Sequence, residues 1–206
     1  MAVPDSLPQR IFVLAYNPDK GRVGVDTDLG AMLRAAALAD LHLRGHLTDE
    51  RGRAAIDVRH PCHDPVLDAL LEEIAGSKPR TWQHWVDGRQ RAAVRAVRQQ
   101  LSDGGWVRLE PHRILGLLPT TKMTIHDPRV RKELLGRITA ALNNPIDRID
   151  PADAALVAIV AAGDLKLVLD RRTKRANKRR IQQLTELSGP IAPALHKSIQ
   201  AAAGVA

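Results

Sequence analysis

The sequence predicts a mostly α fold, a single-domain helical bundle carrying small β-hairpins. Three observations predict it. Apolar residues recur at three- and four-residue spacing through most of the chain, the signature of helices with one buried face. Glycines, prolines and aspartates stand where those stretches begin and end. No internal repeat and no linker between separate cores divides the 206 residues, of which 44% are hydrophobic. Residues 1–9, with two prolines, read as a flexible N-terminal arm, and residues 10–206 read as the one domain.

The elements follow in order. Residues 10–15 (RIFVLA) are a short apolar run, compatible with a strand or a buried helical turn. Residues 16–24 (YNPDKGRVG) carry turn chemistry. Asp28 is placed to cap a helix over 29–44, whose apolar face runs through 29, 32, 33, 36, 37 and 41. Residues 46–56 have the shape of a hairpin around Glu50-Arg51-Gly52. After a polar loop at 57–64, Pro65 opens a helix over 65–75, and 81–86 forms another helical segment.

Residues 89–101 predict a strong helix with Val94, Val97 and Leu101 inward, stopped by Gly104 and Gly105. Residues 106–118 read as strand–turn–strand with the turn at 110–113, and 119–127 as a loop. An amphipathic helix is expected over 128–142. Asp150 caps the next, over 151–162, which is apolar nearly all round and so belongs at the buried centre. A basic helix over 171–187 and an Ala-rich one over 190–202 complete the chain.

Composition narrows the function. Lys and Arg total 31 against 23 Asp and Glu, a net charge of +8. That balance favours anionic partners: nucleic acid, phosphorylated ligands or an anionic membrane surface. The lone cysteine, Cys62, excludes an internal disulfide, and no CxxC pair exists to hold zinc or an iron–sulfur cluster. No apolar run is long enough to span a bilayer, and the first residues lack the apolar core of a signal peptide. A cytoplasmic protein is expected.

The enzymatic motifs GxSxG, GxGxxG, HExxH and the P-loop are all missing, so no catalytic residue is assigned and the protein is read as no enzyme. His60-Pro61-Cys62-His63-Asp64 packs four metal-ligand types into five residues. No second cluster stands at a familiar spacing, so no metal and no cofactor are assigned.

The basic segments carry the stronger signal. Arg91, Arg95 and Arg98 follow an i, i+4, i+7 spacing that puts them on one helix face, beside the core stripe. Several guanidiniums on a rigid face bind phosphate oxygens with bidentate geometry. A second cluster, at 171–180, spreads round its helix and suits diffuse attraction. Helix followed by hairpin occurs at 29–56 and again at 89–118, the shape of a winged helix, so a nucleic-acid-binding protein is the alternative reading. The shortage of aromatics argues against stacking platforms for single strands.

The order of several stretches adds a resemblance. FVLAYNPDKGRVG, MLRAAALADLHLRGHL, VLDALLEEI, TWQHWVDG, VRAVRQQLSDGGWV, ILGLLPTTKMTIHDPRVRKELLGRI and DPADAALVAIVAAGDLKLVL succeed one another over nearly the whole chain. Together they resemble the Golgi phosphoprotein 3 family, in particular its bacterial members. The resemblance implies a single mostly helical domain. It also implies peripheral membrane association through phosphatidylinositol 4-phosphate and, as further partners, cytosolic tails of membrane proteins. It makes Arg34 and Arg91 lipid-phosphate ligands. The family's second helix arginine aligns at Val94, one position before Arg95. The family's tryptophan position falls near Val25-Asp26, where no tryptophan stands and where Asp26 and Asp28 would repel phosphate. The expected site is therefore Arg34, Arg91, Arg95 and Arg98, binding anionic phospholipid head groups in general.

Overall fold

The fold was analysed in a computed structural model. It describes residues 2–23, 28–114 and 118–204, with the backbone alone at 111–114 and 118–122. The apolar run at 10–15 is helical, inside α1 (Leu7–Ala15). Helix α1 therefore begins within the stretch read as an arm. The backbone N–H of Ser6 donates to Gln9 Oε1 at 3.4 Å, and Leu7 N–H donates to Asp40 Oδ2 at 2.7 Å. The second bond fixes the start of α1 against a helix more than thirty residues away, which local sequence cannot show. A two-residue pair follows, β1 (Tyr16–Asn17) with β2 (Arg22–Val23), closed by Asn17 Oδ1 accepting from the N–H groups of Asp19 and Lys20.

Helix α2 (Leu29–Leu43) is the hub. Every residue from Ala31 to Leu41 is buried. Its alanines 35, 36, 37 and 39 let neighbours approach, and it packs against α1 and against five helices introduced below. Asp28 occupies the N-cap position without a side-chain bond to the helix. The expected hairpin is present as β3 (Leu47–Glu50) and β4 (Arg53–Ile56). Arg51 and Gly52 make its turn with φ of 54° and 81°, the left-handed pair that a two-residue hairpin loop requires. A third strand, β5 (Arg80–Thr81), joins β4.

Asp64 caps α3 (Pro65–Ala75) by accepting from Val66 and Leu67 N–H. The short α4 (Trp82–Asp87) buries Trp82 and Trp85, and α5 (Gln90–Asp103) follows, with Val97 and Leu101 fully buried.

The next segment departs from expectation. Strands β6 (Val107–Ile114) and β7 (Leu118–Ile125) pair antiparallel from Val107↔Ile125 to Ile114↔Leu118. Glu110 to Arg113, expected as the turn, are paired inside the ladder with Pro119 to Lys122, and the expected loop at 119–127 is strand as far as Ile125. Polar TTK favours a loop by composition. The ladder hydrogen bonds that make it a strand come from a partner the local pattern does not reveal.

Helix α6 (Pro128–Asn143) starts at Asp127, and α7 (Pro151–Ala162) at Asp150, each aspartate accepting a backbone N–H of the first turn. As its composition requires, α7 is buried from Ala154 to Ala161 and packs on α1, α2 and α6. The expected basic helix is broken at Asn177 into α8 (Arg171–Ala176) and α9 (Lys178–Leu187). Helix α9 lies on α7. The last helix, α10 (Ile191–Gly204), closes the fold against α2, α4 and α7. Among the described residues no helix is long and apolar enough to cross a membrane.

Candidate functional site

The expected site residues come from α2 and α5, which pack together. Their contact is close. A Cβ on Gly30 would lie 2.6 Å from Gln90 Cβ and 3.1 Å from its backbone, so the lack of a side chain at 30 sets how α2 meets the start of α5. Arg89, just before α5, holds a left-handed φ of 45°.

Arg34 faces inward from α2 and is buried. Its Nε donates to the Trp85 carbonyl at 2.8 Å, and its Nη1 and Nη2 donate to Glu73 Oε2 and Oε1 at 3.1 and 3.4 Å. Arg89 Nε stands 3.8 Å from the same carboxylate. Burial lowers the Arg34 pKa from its ordinary value, and Glu73 acts in the opposite direction. The pair sits at one end of a cavity of about 140 Å³ between α2, α3 and α5, whose other walls include Leu33, Val66, Leu70 and Ala93.

Arg91, Arg95 and Arg98 are exposed, and none makes an ion pair among the described residues. At about 3.6 residues per turn they fall within roughly 60° of arc. The positions of α5 that line the cavity are 89, 92, 93 and 96. By the same geometry these are centred roughly 140° away round the helix. The structure thus brings Arg91, Arg95 and Arg98 together on one surface. It sets Arg34 apart, beneath α5 and beside Arg89. Neither Glu73 nor Arg89 was singled out in the sequence. A buried arginine needs an anionic partner, which is a signal that one exists, but its position 39 residues along was not legible. The family's tryptophan position, near Val25-Asp26, lies outside the described residues.

The other candidates separate as well. Cys62 is buried, its N–H donating to Asp68 Oδ1 at 2.6 Å, while His60 and His63 point to solvent and Asp64 is spent on the cap of α3. Among the described residues no three His, Cys, Asp or Glu side chains come together as a metal site. Of the two helix–hairpin units, the first cannot present a recognition helix, because α2 is buried along nearly its whole length.

Comparison with known proteins agrees with the fold. A search of the curated proteins finds no match to the chain. The family model described as Golgi phosphoprotein 3 (GPP34) matches residues 7–202, from the first residue of α1 to within two of the end of α10, and the chain belongs to that family.

Proposed function

We propose that the protein is a non-enzymatic, peripheral membrane protein that binds anionic phospholipid head groups through the exposed face of α5. The observation that carries this reading is the set Arg91, Arg95 and Arg98, three exposed guanidiniums on one face without an ion-pair partner among the described residues. Their arrangement fits an array of lipid phosphates, which accept paired N–H donors from guanidinium groups. Family membership supports the same reading.

Two features favour general anion binding over recognition of phosphatidylinositol 4-phosphate. The sequence has no tryptophan where the family's lipid pocket has one. Arg34, the family's other phosphate ligand, is already bound to Glu73 and the Trp85 carbonyl. Its role in this reading is to seat α3 and α4 against α2, with the contact to lipid left to α5.

Co-sedimentation with vesicles tests the proposal. Binding should rise with the fraction of anionic lipid, whatever the head group, and fall as salt is added. Equal pelleting with neutral and anionic vesicles would sink it. A mobility shift with duplex DNA at physiological salt, in the absence of vesicle binding, would favour the winged-helix reading instead.

A further inference from the structure

We propose that Arg171, Arg172 and Arg175 on α8 form a second, independent phosphate-binding surface for anionic lipid, so that one molecule holds two membranes together. The inference rests on the membrane-binding reading of α5 and extends it to a face with no role in that reading. Between residues 171 and 180 stand Arg171, Arg172, Lys174, Arg175, Lys178, Arg179 and Arg180, with no acidic residue among them. Two are committed within the fold. Lys174 Nζ donates to Asp164 Oδ1 at 3.1 Å, and Arg180 Nε donates to the Ala141 carbonyl at 2.9 Å. Arg171, Arg172, Arg175, Lys178 and Arg179 are exposed and make no ion pair among the described residues.

The first three are not spread round the helix. Positions 171, 172, 175 and 176 lie on one side of α8 and line a shallow depression of about 520 Å³. Its walls are the arginine stems and Ala176, so the guanidinium groups can close over a phosphate while their methylenes stay packed. The acid next to Arg171 in the chain is Asp170, which is engaged in capping α8: it accepts from Thr173 N–H at 2.6 Å, and this bond holds its carboxyl below the usual range.

Helix stability does not account for this placement. Cations in a first turn oppose the helix dipole. Yet α8 opens on Arg171 and Arg172, and α9 on Lys178 and Arg179, with no acidic residue in either first turn. A locally unfavourable choice, repeated in adjacent helices, is what a binding surface leaves in a sequence.

The surface is also separate from α5. Helix α5 packs on α1, α2 and α3, whereas α9, which carries α8, packs on α7, and the chain of packed helices from one to the other runs through α1 or α2 and then α7. At about 8–10 Å for each helix-to-helix step, that path is roughly 25–30 Å long from the axis of α5 to that of α9. That exceeds the screening length of about 8 Å at physiological salt, so the two basic faces act as separate charges. Lipid is favoured over nucleic acid because the basic stretch carries an exposed leucine four residues before Arg171 and another at the end of α9. Leu167 is 39% and Leu187 53% exposed. Such side chains gain from a head-group interface and nothing from a phosphodiester backbone.

The test is vesicle clustering, read by light scattering, alongside co-sedimentation, with phosphatidylcholine vesicles containing roughly one third phosphatidylserine. Wild-type protein should both bind and cluster them. R171A/R172A/R175A and R91A/R95A/R98A should each still bind, and each should lower clustering roughly tenfold, because bridging needs both faces at once. The sixfold variant, with its helicity checked by circular dichroism, should not bind.

Undiminished clustering by R171A/R172A/R175A would overturn the inference, as would wild-type binding without clustering. Loss of duplex DNA binding by that variant, with clustering intact, would give the surface to nucleic acid instead. Undiminished clustering by R91A/R95A/R98A, with clustering lost in R171A/R172A/R175A, is a different result: it would overturn the α5 reading, and with it the two-face bridge, and leave α8 as the one lipid surface. No vesicle binding by the wild type would remove both.

Discussion

The guanidinium of Arg34 and the carboxylate of Glu73 are joined by two hydrogen bonds, at 3.1 and 3.4 Å, where α2, α3 and α5 meet. The side chains are 6% and 22% exposed, so this is an interior pair, and Arg34 also satisfies the carbonyl at the end of Trp85. Removing one partner leaves the other charge buried and uncompensated. Arg34→Ala and Glu73→Ala should each lower stability by about 3 kcal/mol. Replacing both by alanine should cost less than the two single changes added together. Chemical denaturation of the double-mutant cycle checks this. Strict additivity would show that the pair is not coupled.

The exposed arginines of α5 should behave in the opposite way. R91A/R95A/R98A breaks no ion pair among the described residues, so its stability should stay within about 0.5 kcal/mol of wild type. In a chain that already carries R171A/R172A/R175A, the same three changes should lower the affinity for anionic vesicles roughly a hundredfold, from about 1 kcal/mol for each charge near the surface. A melting curve and a vesicle titration separate the two effects. An arginine set that matters for folding would move the first and leave the second.

Gly30 gives a purely steric prediction. The contact that a Cβ there would make is with Gln90 Cβ and backbone, which cannot swing aside. Gly30→Ala should destabilise by about 1–3 kcal/mol, despite alanine's better helix propensity. Gln90→Gly in the same chain should leave the clash with the Gln90 backbone and recover only part of the loss. Thermal melts of the two variants decide it.

Cys62 gives the pH prediction. Burial, with Asp68 nearby, pushes its thiol up to about 11. A thiol raised above its unfolded value of about 8.5 favours the fold fully below that value. The contribution is then lost as pH rises from there through about 11. Iodoacetamide should leave Cys62 unmodified in the native protein at pH 8 and alkylate it promptly in denaturant. Rapid native alkylation at that pH would show that the thiolate is accessible.

How much of this was legible in the sequence depended on how local the cause was. The aspartate and proline at the starts of α3, α6 and α7 act within four residues, and the capped helices are where the pattern puts them. The apolar composition of residues 154–161 likewise requires the burial found in α7. Residues 119–125 were misread because strand pairing with 107–113 is a property of two segments, and neither is strongly alternating. Asn177 divided the basic helix without any glycine or proline to announce it. In the site, the spacing of Arg91, Arg95 and Arg98 is intrinsic to one helix and could be read directly. The depth of Arg34 and its partner could not, because Glu73 and the Trp85 carbonyl reach it from other elements.

The burial of Trp82 and Trp85 in α4 has a practical consequence for all these measurements. Both indoles are in the core, 3% and 2% exposed, and the third, Trp106, is half-buried beside Gly104. None lies on the outward face of α5 or on α8. Intrinsic fluorescence is therefore a reporter of unfolding, where the emission should shift sharply to the red. It should be nearly silent when the arginine faces meet lipid. A dye placed on either face will be needed to see docking, and the native indoles will serve as the internal control that the fold stayed intact.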